Sequence, residues 1–141
     1  MKLIAATLTL LFIAGCGQTY HSTLITPAKI DGIHKIKIEP IACFDPGGKA
    51  ILEESLKQEF QKKGYTITDD NADLIISVSA TMGLRWGYYG NPSVIMAVIY
   101  VHDNTGASCG SITSRSGEIL SPEKFAKIIV EKISEKLQKN P

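Results

Sequence analysis

The sequence has little of what a nucleic-acid-binding, disulfide-scaffolded or membrane-spanning protein needs. Lysine and arginine total 15 against 14 acidic residues, so the net charge of +1 provides no basic field for phosphate backbones. Three cysteines are too few for a disulfide scaffold. The apolar run near the N-terminus, 12 residues with its threonines, is shorter than the roughly 20 residues that cross a bilayer. A chain of 141 residues with 44% hydrophobic residues indicates one folded domain.

Motifs for catalysis, cofactors and metals are also absent from the sequence. It contains no Walker loop, no G-x-G-x-x-G and no G-x-S-x-G element. His21, His34 and His102 lie far apart, without the close ligand spacing typical of a metal site. Gly47-Gly48 precedes a predicted helix but lacks the lysine–serine pair of a phosphate-binding loop. We therefore expect no enzyme activity, no cofactor and no metal.

The first 16 residues carry a targeting signal. Lys2 is followed by the apolar run Leu3–Ala14, which has the length of the hydrophobic region of a secretory signal. The run ends in Ile13-Ala14-Gly15-Cys16, which resembles the lipobox of bacterial lipoproteins. The resemblance implies that residues 1–15 are a signal peptide and that Cys16 is acylated, a modification of palmitate type. Two or three acyl chains make a stable membrane anchor.

The residues after Cys16 indicate where the anchor is placed. In lipoproteins of this kind an aspartate directly after the cysteine favours the inner membrane, and here the position is Gly17. The resemblance therefore implies the outer membrane, with the chain facing the periplasm. Residues 16–32 show no periodicity, so we expect a lipidated tether before a single domain at 33–141.

Two cysteines remain once Cys16 is acylated. An exported protein meets an oxidising compartment, and an even number of thiols favours pairing, so we expect a Cys43–Cys109 disulfide. Two buried free thiols are the alternative.

The periodicity of the domain predicts the order β-α-β-β-β-β-α. Leu52, Leu56 and Phe60 recur every four residues, and Leu74 to Trp86 alternate with period two. Two helices on one face of a single mixed sheet are the natural α+β arrangement for this order. The expected strands are 33–42, 65–68, 74–86, 94–101 and 107–114, and the expected helices begin at Pro46 and Pro122.

Two features point to contact with another molecule. Arg85, Trp86, Tyr88 and Tyr89 fall in one predicted hairpin loop, although loops are usually polar. Tryptophan and tyrosine there suit a protein partner, a glycan or a membrane interface, and we expect a partner-binding site. The strand at 94–101 is apolar at every position, which is typical of a strand covered on both faces. If helices cover only one face, then Ile95, Ala97, Ile99 and Val101, or their alternates, line the other. For the apolar face, the alternative is cover by the tether or by the polar strand at 107–114. For the aromatic loop, the alternative is that its rings fold back over the sheet edge.

The lipobox, the element order and Asn71-Ala72-Asp73-Leu74 together resemble a group of small bacterial envelope lipoproteins. In that group a helix ending near Gly-Tyr, here Gly64-Tyr65, precedes an Ala-Asp-Leu strand. The resemblance implies a fold similar to the N-terminal domain of the Tol-system translocation protein and to peptidoglycan-synthase activator lipoproteins. It implies no catalytic residues.

Two functions fit these observations. The favoured one is a lipid-anchored accessory or assembly factor that binds another envelope protein or itself. The alternative is a carrier of a small lipid, glycan or peptide on the apolar sheet face. An enclosed apolar cavity favours the carrier, whereas an open apolar face favours a protein contact.

Overall fold

The computed structural model describes residues 19–24, 32–84 and 92–138. Its α+β fold has one mixed sheet with two helices, and the predicted order β-α-β-β-β-β-α is confirmed from β2 onward. The elements are β1 Thr19–Leu24, β2 Lys35–Ile38, α1 Pro46–Lys62, β3 Thr66–Ile67, β4 Leu74–Leu84, β5 Pro92–Asp103, β6 Ser108–Leu120 and α2 Pro122–Gln138. The strands are arranged β1-β6-β5-β4-β2-β3.

The strand β1 lies inside the segment expected to be a tether. It pairs antiparallel with β6, from Thr19 opposite Arg115 to Leu24 opposite Gly110. Six residues of the expected tether therefore belong to the sheet, and β6 is an interior strand. The sequence did not indicate β1 because a polar edge strand is specified by its pairing partner more than by an apolar period.

The sheet has two distinct ends. Strands β4 and β5 pair antiparallel as far as Leu84 opposite Pro92, and we call this end the hairpin end. The opposite end holds the turn from Asp103 to Ala107 between β5 and β6, and we call it the turn end. Strand β2 runs parallel to β3 and β4, so α1 is the crossover between parallel neighbours that the element order predicted.

Both helices begin where their capping residues predict. The Asp45 carboxylate accepts a hydrogen bond from the Gly47 N–H at 3.1 Å, and Pro46 occupies the first turn of α1. The Ser121 hydroxyl accepts from the Lys124 N–H at 3.2 Å before α2. The apolar stripes of both helices pack with the sheet in one core. Its helical members include Leu52, Leu56, Phe60, Phe125, Ile129 and Ile133.

The first turn of α1 lies against the hairpin end. A Cβ added at Gly48 would lie 2.3 Å from Met82 Sδ and 3.0 Å from Pro92 Cβ, so only glycine fits there without displacement. Gly48 thus sets how closely the helix approaches β4 and β5. Gly48 therefore has a packing role. This role explains one of the two glycines, Gly47 and Gly48, that stand before the apolar stripe of α1.

Within the described ranges, no helix is long and apolar enough to cross a membrane. The expected signal peptide and Cys16 lie outside the described residues, as do the loop residues Arg85, Trp86, Tyr88 and Tyr89.

Candidate contact surface on the open face of the sheet

The two faces of the central strand β5 have different surroundings. Ala97, Ile99 and Val101 are buried against the helices. Their alternates point to the other face, where Met96 is 40% and Tyr100 46% exposed. No described helix lies over this second face. The expectation that β5 is covered on both faces is therefore wrong for the described part of the chain. The open face is lined by Met96, Val98 and Tyr100, the residues that alternate with Ala97, Ile99 and Val101.

A β-bulge adds a further apolar side chain near the hairpin end. The pairing of β4 with β5 shifts register between Thr81, which is opposite Met96, and Met82, which is opposite Val94. Ile95 is left as the extra residue on β5. Ile95 is 46% exposed. Its side chain lies against Gly83, because a Cβ atom added at Gly83 would be 2.6 Å from Ile95 Cδ1. Two consecutive residues of β5, Ile95 and Met96, are exposed as a result.

These side chains form one apolar stripe along β5. We define the open-face stripe as Ile95, Met96, Val98 and Tyr100. The Tyr100 ring stacks on His102, with ring centroids 6.3 Å apart. Small polar residues of the neighbouring strands border the stripe, namely Ser77, Ser79, Thr81, Ser111 and Thr113. An exposed apolar stripe with a polar border is typical of a protein contact surface.

Two open cavities lie among the described residues. A cavity of about 360 Å³ lies at the turn end and is lined mainly by polar residues: Lys37, Asp69, Asn71, Ala72, Asp73, Ile75 and Asn104. A second, of about 160 Å³, lies at the hairpin end between Ile51, Pro92 and the start of α2. Neither of these two cavities is an enclosed apolar pocket.

The carboxylates near the turn end serve the fold. The backbone N–H groups of His34 and then Lys35 donate to Asp73 and hold the pKa of its carboxyl below the ordinary value. The hydroxyl of Thr105, with backbone N–H groups of Ala107 and Thr105, lowers the pKa of Asp103 in the same way. Both groups hold backbone in place, and across residues 19–24, 32–84 and 92–138 no cluster of His, Cys, Asp or Glu is arranged to hold a metal.

The expected Cys43–Cys109 disulfide is not present in the structure, in which both residues are free thiols. Cys43 follows Ala42, which bridges to Ser79 of β4. Cys109 lies on β6 between Ser108 and Gly110, whose partners on β5 are His102 and Val101. Three strand spacings, about 14 Å, separate the two chain positions. A disulfide requires Cα atoms within about 7 Å.

One exposed residue had no signal in the sequence. Phe44, between β2 and α1, is 107% exposed relative to an extended reference, so its ring has no cover among the described residues. A single phenylalanine beside a helix cap carries no periodicity, and only the three-dimensional position shows that its ring is free.

The fold is shared with solved bacterial proteins. The PelC dodecamer from Paraburkholderia phytofirmans matches with a TM-score of 0.59 at 19% identity, covering 86% of this chain and 98% of that chain. A DUF4136 family protein from Bacteroides thetaiotaomicron matches with a TM-score of 0.52 at 12% identity, covering 88% and 96%. A minor lipoprotein from Acinetobacter baumannii reaches a TM-score of 0.43 at 16% identity, covering 74% and 95%. The first two likenesses place the chain in this α+β fold class.

No protein-family model and no curated protein matches the sequence. The likenesses are therefore likenesses of fold. The finer resemblance to the Tol translocation protein, and the lipobox itself, stay predictions.

Proposed function

We propose that this chain is a lipid-anchored envelope protein that acts without catalysis, as an accessory or assembly factor, by binding further copies of itself through the open-face stripe. The observation that carries the proposal is the stripe itself. Antiparallel strands that leave one face in water normally carry polar side chains on that face, yet Met96 and Tyr100 of the central strand β5 are exposed to solvent. Covering them would remove apolar surface from water and so favour association.

The likeness to PelC supports self-association in particular. That protein is a dodecamer, and almost its whole length matches the present fold. A chain that assembles needs a surface that recognises itself, and the open-face stripe is a candidate of suitable chemistry. A different envelope protein as partner is the other outcome that the stripe allows.

The oligomeric state tests this proposal. Native mass spectrometry of the full chain in detergent should give multiples of the subunit mass. The double variant Met96→Ser and Tyr100→Ser should shift the protein to monomer, because it removes two exposed apolar side chains of the open-face stripe. Gln61→Ser, on the exposed side of α1, is the matched control and should leave the oligomer intact. A monomeric native protein would contradict self-association.

The anchor is a separate part of the proposal. We propose acylation of Cys16 after removal of residues 1–15, and an outer-membrane location because residue 17 is glycine. Cys16→Ser should abolish palmitate labelling and leave an uncleaved or soluble form. Gly17→Asp should move the protein to the inner-membrane fraction of a sucrose gradient. Normal labelling of the Cys16→Ser variant would overturn the acylation.

The aromatic loop is the proposed contact with a second envelope protein. Arg85, Trp86, Tyr88 and Tyr89 belong to the connection between Leu84 and Pro92, whose backbone pairing closes the hairpin. Trp, Tyr and Arg are the residue types that most often dominate binding energy at interfaces. Crosslinking from this loop in living cells would identify the partner, and an absence of protein adducts would remove the loop from the proposal.

A further inference from the structure

We propose that the hairpin end of the domain lies on the lipid bilayer, with Phe44 and Ile51 in contact with the lipid surface. This inference rests on the proposed acylation of Cys16. It goes beyond that anchor because it fixes which end of the folded domain meets the membrane.

The position of β1 supplies the first argument. Thr19 begins β1 opposite Arg115, and Arg115 is in turn paired with Met96 on β5. Met96 is paired with Thr81, close to the end of β4, so Thr19 enters the sheet toward the hairpin end. Only Gly17 and Gln18 separate Cys16 from Thr19, and this short connection spans at most roughly 10 Å. A tether that short keeps the acyl chains beside the end of the sheet where β1 starts.

The second argument is the chemistry of that end. Phe44 comes two residues after Ala42, which bridges in parallel to Ser79 in the middle of β4, and just before the first turn of α1, which lies against Met82 and Pro92. The chain at Phe44 therefore runs toward the hairpin end, and its ring is fully exposed. Ile51 is 38% exposed and shares a cavity with Pro92, the first residue of β5. An exposed aromatic ring and an exposed aliphatic chain beside a lipid anchor suit the boundary between head groups and acyl chains.

The opposite end lacks this combination, because at the hairpin end the carboxylates of Asp45 and Glu123 lie beside Phe44 and Ile51, as suits a boundary with lipid head groups, whereas the turn end is mainly polar. The turn end exposes Asn104 and Thr105 and is lined by Asp69, Asn71 and Asp73. Carboxylates and amides are costly to remove from water, so this end is suited to solvent. Among the described residues, the exposed large apolar side chains that do not belong to the open-face stripe are Phe44 and Ile51, and both lie toward the hairpin end.

Photocrosslinking to lipid tests the orientation. The full-length, acylated protein is reconstituted in vesicles of phosphatidylethanolamine and phosphatidylglycerol, with benzoylphenylalanine replacing Phe44 in one sample and Asn104 in another. Both positions are exposed, so neither replacement disturbs the core. The lipid adduct should be at least five-fold more abundant at position 44 than at position 104. Equal lipid adducts at the two positions, or an adduct at position 44 only with a second copy of the chain, would overturn the orientation.

Two further measurements separate this inference from the proposed function. The intact mass of the same preparation reports whether Cys16 is acylated. Acylated protein that gives no lipid adduct at position 44 overturns the orientation and leaves the anchor standing, whereas a missing acyl mass overturns both. The variant Phe44→Ser, which removes a fully exposed ring, should keep its melting temperature and its acyl mass. It should expose Thr19–Leu24 to protease several-fold faster on vesicles, because the domain is then held only by its anchor. Unchanged protection would contradict the inference.

Discussion

Lys35 and Asp73 are joined by two hydrogen bonds that fix the start of β2 beside β4. The Lys35 N–H donates to Asp73 Oδ2 at 2.8 Å, and the Asp73 N–H donates to the Lys35 carbonyl at 2.8 Å. The His34 N–H donates to the same carboxylate oxygen at 2.9 Å. Asp73 is the middle residue of Ala72-Asp73-Leu74, so the aspartate of this motif holds two parallel strands in register.

Asp73→Ala should destabilise the domain by about 1 kcal/mol. Hydrogen bonds to a charged group contribute roughly 1.5–3 kcal/mol, and the exposure of this carboxylate to water places the loss at or below the lower end of that range. Urea denaturation followed by circular dichroism measures the change. Asp69→Ala, a nearby exposed aspartate, is the control and should change the free energy of unfolding by less than about 0.5 kcal/mol.

The same contact predicts a pH dependence. The folded protein holds the pKa of Asp73 below its ordinary value of 3.8. Its stabilising contribution is therefore complete above that ordinary value and is lost as the pH falls through the lower folded value. Between pH 6 and pH 3 the native protein should lose more stability than Asp73→Ala does. Parallel acid-unfolding curves for the two proteins would contradict this role for the carboxylate.

Two adjacent glycines should respond in opposite directions to alanine. Gly48→Ala brings a methyl group against Met82 and Pro92, and such overpacking costs roughly 1–3 kcal/mol. At Gly47 the nearest atom to an added Cβ is Asp45 Oδ1 at 3.6 Å, an ordinary contact. Gly47→Ala should therefore be neutral or stabilise by up to about 1 kcal/mol through helix propensity. Thermal melts of the two variants give the comparison, and equal shifts would show that Gly48 is not at a close contact.

The two thiols of the domain should differ in reactivity. Burial, and then the negative charge of Asp103, raise the pKa of the Cys109 thiol, so little reactive thiolate is present at neutral pH. Cys43 is partly exposed. Iodoacetamide at pH 8 should label Cys43 in the native protein and Cys109 only after unfolding, as read by peptide mass spectrometry. A Cys43–Cys109 peptide in unreduced, exported protein would contradict the separation found between these residues.

The aromatic loop should serve binding more than stability. Trp86→Ala with Tyr88→Ala should change the free energy of unfolding by no more than about 0.5 kcal/mol if these side chains are exposed. The same pair should weaken capture of the envelope partner by about 2 kcal/mol or more if they are interface anchors. Calorimetry and pull-down of the crosslinked partner measure the two effects. A large loss of stability with unchanged capture would place the rings in the core.

The sequence predicted those parts of the fold that local chemistry specifies. Both helices begin at a capped proline, and the alternation that starts at Leu74 marks β4 because one face of that strand is buried. The edge strand β1 was not predicted, because Thr19–Leu24 forms a strand by pairing with β6 and has no apolar period of its own. The predicted Cys43–Cys109 disulfide was wrong, because the number of residues between two cysteines along the chain does not give their distance across a sheet.

The candidate surface was predicted in part. A strand apolar at every position indicated that one set of alternates lies on the face away from the helices. Only the folded sheet shows which set this is: Ile99 is buried and Tyr100 is exposed. The bulge at Ile95 and the free ring of Phe44 depend on three-dimensional register, for which a single sequence carries no signal.

The central claim is that the open-face stripe joins copies of this chain. The most direct measurement places benzoylphenylalanine at Tyr100 in the full chain, irradiates intact cells and resolves the adducts by mass. We expect a species of twice the subunit mass, formed from position 100 and not from the control position Gln61 on α1. Monomer alone at position 100, or the same dimer yield from both positions, would contradict it.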